Sequence, residues 1–193
     1  MYIEQVRNST NSFWLYIIGV FILGVVIIIG NIPFGFLILA EAGVDAAQLT
    51  LAEQMKVLPS NTTLFLLLLP FALVFGAILL ITKLLHKLKL RELITSRSKV
   101  DWKRVRFGFG TVALSFIAML VVGYFIDPES VQWNFKPKLF ALLVLISVIM
   151  VPLQTSAEEL FFRGYLMQGL GRIFPMRLLP FVITSTLFGL LHF

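Results

Sequence analysis

Residues 139–166 read LFALLVLISVIMVPLQTSAEELFFRGYL. From Leu139 to Ala157 the chain runs 19 residues without a charge, close to the ~20 apolar residues that a helix needs to cross a bilayer. The run ends on two adjacent carboxylates, Glu158 and Glu159, with Arg163 following. Two expectations follow. The stretch lies in a membrane, and its charges have a task there, because charge inside a span is costly and is seldom kept without one.

The rest of the chain repeats the apolar half of this pattern. Uncharged runs cover Phe13–Ala40, Thr63–Ile81 (extending to about Leu85) and Phe107–Ile126, and a last apolar segment begins near Leu178 and reaches Phe193. Of 193 residues 59% are hydrophobic and 13% charged, with a mean hydropathy of +0.94. A soluble domain has roughly 45–50% and about 25%, so the excess is too large for one water-soluble core. The expectation is an all-α fold, a polytopic membrane helix bundle of about five membrane segments. Residues 1–193 form a single membrane domain. Within it, 1–137 supplies upstream helices and a basic loop, and 138–193 is the motif-bearing half. Gly30, Pro33 and Gly35 are candidate breaks near the outer end of the first helix. Pro70 and Gly76 are tolerable inside the second, since membrane helices re-satisfy freed backbone groups through neighbours. The first run spans 28 residues and follows Glu4 and Arg7. A signal peptide has an apolar core of about 7–15 residues after a positive start, so this run reads as a retained helix.

The charges set the orientation. Nine of the sixteen Lys and Arg fall between Lys83 and Arg106, which places that loop on the cytoplasmic side. Glu41, Asp45 and Glu53 with only Lys56 mark the preceding loop as external, the balanced loop 127–138 is also external, and Arg172 and Arg177 mark an internal turn. The N-terminus is then cytoplasmic. Trp14, Trp102 and Trp133 fall at expected helix ends, where amphipathic rings prefer to sit. The net charge of +6 belongs to these loops. It does not line a face with stacking aromatics, so nucleic acid is not a partner; the bilayer is. Lys83–Arg91 reads equally well as an amphipathic continuation of the second helix on anionic lipid or as a solvated basic loop. The chain has no cysteine, which excludes disulfides and Cys-based metal sites.

The chemistry gathers around two stretches. In a helix Glu159 and Arg163 are i and i+4, share a face and can pair. Glu158 is turned about 100° away, toward Phe161, Phe162 and Tyr165. Left unpaired on that apolar face, it is a candidate general base. The second stretch is Thr186–Phe193, TLFGLLHF, with His192 near its end. Glu158 lies 14 residues before Arg172 and His192 lies 15 after Arg177. At ~1.5 Å per residue both sit roughly 21–23 Å from the same turn, so two antiparallel neighbours can bring them to one depth. The span from Lys138 to Arg172 is too long to stand straight in a bilayer, and it must tilt, kink at Pro152 or lie down near Gly169–Gly171.

Glu158-Glu159-x-x-x-Arg163, followed about thirty residues later by Phe188-x-x-x-His192, resembles the CPBP family. This is the CAAX protease and bacteriocin-processing (Abi) family, which includes the type II CAAX prenyl endopeptidases. The resemblance covers about Pro152–Phe193. It implies a helix bundle around a polar site open toward the cytoplasm, and hydrolysis of peptide or prenylated-protein substrates at the membrane. Separately, the lack of a targeting signal fits a bacterial or archaeal cytoplasmic membrane and leaves a eukaryotic endomembrane open. Glu158 would activate water with the help of His192, and Glu159, Arg163 and Phe188 would support them. The resemblance leaves open a metal-dependent or a glutamate-type mechanism. If a divalent metal such as zinc takes part, Glu158 and His192 are its ligands here, and there is no His-Glu-x-x-His motif. The family's third motif, a His four residues before an Asn or similar residue, is missing. His86 is followed by Leu90 and reads as a juxtamembrane residue outside the chemistry. The last helix, about 14 residues from Pro180, falls short of a span, so the sequence is expected to be a fragment or truncated product. The competing reading is a non-catalytic membrane protein of the same family, in bacteriocin immunity or protein interaction. A proton or cation transporter using Glu158 and Glu159 is a more distant one.

Overall fold

The structure, a computed structural model, describes residues 12–94, 101–130, 134–174, 176 and 178–192. Of the sequence features above, Glu4, Arg7, Arg97, Lys99, Trp133, Arg177 and Phe193 lie outside the described residues. Among the described residues every regular element is helical. In chain order they are α1 (Phe13–Ala42), a 3-10 segment (Gly43–Gln48), α2 (Leu51–Val57), α3 (Ser60–Leu84) and α4 (Leu90–Ile94). Then come α5 (Trp102–Ile126), α6 (Pro137–Glu159), a π-helical segment (Leu160–Leu166), α7 (Met167–Ile173) and α8 (Leu178–Leu190). Four are long and apolar enough to cross a membrane: α1, α3, α5 and the continuous helical path Pro137–Ile173. α8 is a shorter apolar helix. The polytopic all-α expectation is borne out.

Two compact units are present. The second, Arg97–Phe140, is built on α5. Asp101 caps α5 by accepting from the Arg104 backbone N–H at 3.3 Å, and the Arg104 guanidinium returns to Asp101 at 3.2 Å. No residue of α5 is buried. From Phe107 to Ile126 the helix is apolar all round, which suits a membrane span.

The first unit, Met1–Ser96 with Ala141–Phe193, holds the core. α1 and α3 pack along their length. In lipid, apolar area alone does not drive this, because the tails are as apolar as leucine; close packing at small residues does. Gly30 is such a residue. A Cβ there would stand 2.7 Å from Pro70 Cα, so the helices meet backbone to backbone. One cluster of buried side chains (Leu23, Val74, Ile78, Ile81, Ala157 and Tyr165 among them) ties α1 and α3 to the motif-bearing helix. A second (Phe34, Ile38, Ala46, Leu58, Leu66) closes the other end under the 43–57 segment. That segment is fixed by a capping box. The Thr50 N–H donates to Glu53 Oε2 at 2.8 Å and the Glu53 N–H donates back to Thr50 Oγ1. This hydrogen bonding holds the Glu53 carboxyl below the usual range. Thr63 Oγ1 reaches the Met55 and Leu58 carbonyls, which docks α2 on the start of α3.

Two readings need correction. α1 does not break at Gly30, Pro33 or Gly35 but continues to Ala42. Pro33 removes only the one N–H that would reach the Ile29 carbonyl, a loss that a membrane helix tolerates. α3 does not continue as an amphipathic helix through Lys83–Arg91. It ends at Leu84, and Lys87 turns the chain with φ 54°. The long fourth span runs on past Pro152 as one helical path. Proline sits inside α6, and the path widens into the π-helical turn directly after Glu159.

Candidate active site

α6 ends on the two carboxylates, and its last turn divides them. Arg163 Nη1 donates to Glu159 at 2.8 Å, the i,i+4 pair expected from the spacing. Both side chains are about half exposed. Such a pair adds little stability, and its consequence is that Glu159 is spoken for. Glu158 points the other way, into a pocket of ≈ 380 Å³. Its walls are apolar: Leu23 and Ile27 from α1, Phe71 and Val74 from α3, Phe161 and Phe162 from the π-helical segment. Tyr165 does not share this lining. Two turns further on, it is buried against α1.

α8 brings the second group. Leu191 and His192 lie on a turn just past the helix, with the His192 N–H donating to the Gly189 carbonyl at 3.0 Å. His192 lines the same pocket as Glu158, and its Nε2 lies 4.0 Å from Glu158 Oε2. The depth argument from the Arg172–Arg177 turn therefore brings together the right pair. His192 sits past the helix end rather than on it, which leaves its side chain half exposed while that of Glu158 is 19% exposed.

Second contacts orient both groups. His192 Nδ1 is 2.7 Å from the Phe188 carbonyl. A carbonyl only accepts, so the Nδ1 carries the proton, and in the neutral ring Nε2 is left as an acceptor aimed at Glu158. The Phe188 ring lies 4.3 Å from the imidazole and meets Phe162 edge-on at 5.3 Å. Phe188 thus supports the site twice, by its carbonyl and by its ring. Gln154 Nε2 donates to Glu158 Oε1 at 3.3 Å, which leaves Oε2 for His192. Sequence reasoning missed Gln154, although the signal was there: a lone amide four residues before Glu158 on an apolar helix shares its face. It also missed His86. This residue is buried in the turn after α3, with Nε2 2.7 Å from the Tyr165 hydroxyl.

The family described as Type II CAAX prenyl endopeptidase Rce1-like matches residues 137–193. That segment is therefore similar to the Rce1-like family. It contains Glu158, Glu159, Arg163, Phe188 and His192, so the resemblance carried by those residues holds. The uncharacterized protein YyaK of Bacillus subtilis (strain 168) is 33% identical over 193 residues, 96% of this chain and 62% of YyaK. The chain therefore spans about three fifths of that relative's length. No solved structure matches.

The donors at the site decide whether it can hold a catalytic metal. A catalytic zinc takes three protein ligands as a rule. Glu158 and His192 offer two, Glu159 is turned to Arg163, and among the described residues no three His, Cys, Asp or Glu come together. The donor set present does not fit a catalytic zinc.

Proposed function

We propose that this chain carries the reacting centre of an intramembrane endopeptidase of the CAAX-protease kind, which cleaves peptide bonds at the cytoplasmic side of the membrane. One observation carries the reading: a carboxylate and an imidazole from separate helices face each other across 4.0 Å at the edge of an apolar pocket. With Nδ1 bonded to Phe188, Nε2 and Glu158 Oε2 are both acceptors. Two acceptors at that separation can each take one hydrogen of the same water, which leaves an oxygen lone pair directed into the pocket. Attack on a peptide carbonyl places a proton on this pair, and the same pair returns it to the departing amine. The apolar walls suit a substrate part that is itself apolar, such as a lipidated or membrane-anchored peptide, and they keep bulk water from competing.

The test is cleavage of a farnesylated peptide ending in a CAAX sequence by the chain in proteoliposomes. Glu158→Gln and His192→Gln are each expected to lower turnover by at least about 100-fold, the scale of a lost general base, with helicity unchanged. Equal turnover in parent and variants contradicts the proposal. It would favour the non-catalytic reading, in which the same bundle binds other membrane proteins.

A further inference from the structure

The turn after α3 buries a histidine where an apolar residue would serve packing better. In Leu84-Leu85-His86-Lys87-Leu88 every other side chain is apolar or free to reach solvent. The backbone folds back to bury it: the His86 N–H donates to the Ile81 carbonyl, the Leu88 N–H donates to that of Thr82, and Lys87 adopts a positive φ. His86 is 4% exposed. Burying an imidazole is unfavourable unless its polar atoms are used, and here Nε2 lies 2.7 Å from the Tyr165 hydroxyl, across 79 positions of sequence. The Tyr165 hydroxyl also reaches the Leu15 carbonyl at 3.4 Å. Tyr16 lies against both rings, 4.3 Å from His86 and 5.0 Å from Tyr165. Room is made for this cluster by glycines: a Cβ at Gly19 would overlap the Tyr165 hydroxyl, and one at Gly169 would press on Tyr16. α1, the end of α3 and the π-helical segment thus meet at one buried polar point.

The position of Tyr165 gives this point its consequence. It lies in Leu160–Leu166, whose i→i+5 pattern is rare and yields to the ordinary α-helical ladder unless tertiary contacts hold it. A change of register there turns α6 about its axis relative to α7, and Glu158 stands in the last turn of α6. We propose that His86 is a positioning residue for Glu158: through the Tyr165 hydroxyl it holds the π-helical register that aims Glu158 at His192. The catalytic consequence rests on the peptidase reading; the positioning itself does not.

The chain has no cysteine, so a pair of introduced thiols reports this geometry with no background and no substrate. The chain carrying Glu158→Cys and His192→Cys is oxidised in membranes with copper phenanthroline, and the rate of disulfide formation is measured. A second pair, Phe34→Cys and Leu66→Cys in the other buried cluster, serves as the control. Adding His86→Ala or Tyr165→Phe is expected to slow the site pair several-fold and leave the control pair unchanged. The two together are expected to act no more strongly than either alone. His86→Gln, whose amide can reach the Tyr165 hydroxyl, is expected to restore the rate. An unchanged site-pair rate in His86→Ala overturns the proposal. So does equal slowing of both pairs, which would mean loss of the bundle rather than of register. So does a site pair that fails to join in the parent. Because no turnover is read, none of these outcomes depends on whether the chain cleaves peptides.

Discussion

The Glu158 carboxylate has two oxygens and two different neighbours. Oε1 takes the Gln154 amide at 3.3 Å and Oε2 faces His192 at 4.0 Å. Removing the amide frees the carboxylate to rotate away from the imidazole. Gln154→Leu should therefore lower kcat/KM about 3- to 10-fold, the equivalent of one hydrogen bond of ~0.5–1.5 kcal/mol, with the loss in kcat. His86 makes a prediction about pH. Burial pushes its imidazole down from the ordinary 6.5 to about 4, and it lies beyond the end of α3. The unfolded chain then binds the proton first, so stability is full above about 6.5 and falls as pH drops toward 4. Thermal unfolding in detergent micelles should show a fall in Tm over that window that is smaller in His86→Gln. Equal falls in both proteins would contradict this protonation state.

At the scale of elements, the bundle depends on where helices lack side chains. Gly30→Leu pushes a side chain into the Pro70 backbone, where nothing flexible can give way. It should destabilise the chain by about 1–3 kcal/mol, as overpacking does, and this can be read as a lower Tm. At Gly24 a Cβ would meet nothing within 4 Å, so Gly24→Ala should leave Tm nearly unchanged. Helix number and type were legible in the sequence because uncharged runs of this length have few alternatives. The Glu159–Arg163 pair and the meeting of Glu158 with His192 were legible because i,i+4 spacing and rise per residue are local arithmetic. The continuity of α1 through Pro33, the end of α3 at Leu84 and the π-helical turn were not. Contacts between residues distant in sequence lie beside them: Gly30 with Pro70, and His86 with Tyr165. Nothing in the run KLLHKLKL marks its histidine as buried; that information lies 79 positions away.

Over the whole molecule, apolar side chains cover the outside as well as the inside, from Phe21 and Ile28 on α1 to Phe109, Phe116 and Phe125 on α5. This is the surface of a protein whose solvent is lipid. The distribution of Lys and Arg predicts an orientation. We expect Asp45→Cys, in the acidic segment, to react with a membrane-impermeant maleimide on intact cells, and Lys89→Cys, in the basic turn, to react only after permeabilisation. The reverse pattern would invert the topology and move the proposed cleavage to the other face. The claim on which the rest depends is that Glu158 and His192 act as one unit on a single water. The most direct measurement is a double-substitution cycle of kcat/KM on the farnesylated CAAX peptide in proteoliposomes, with Glu158→Gln, His192→Gln and both together. Groups that act as one unit are strongly non-additive, so the double variant should be no slower than the slower single variant. If the two losses multiply, the groups work independently and the paired-acceptor account is wrong.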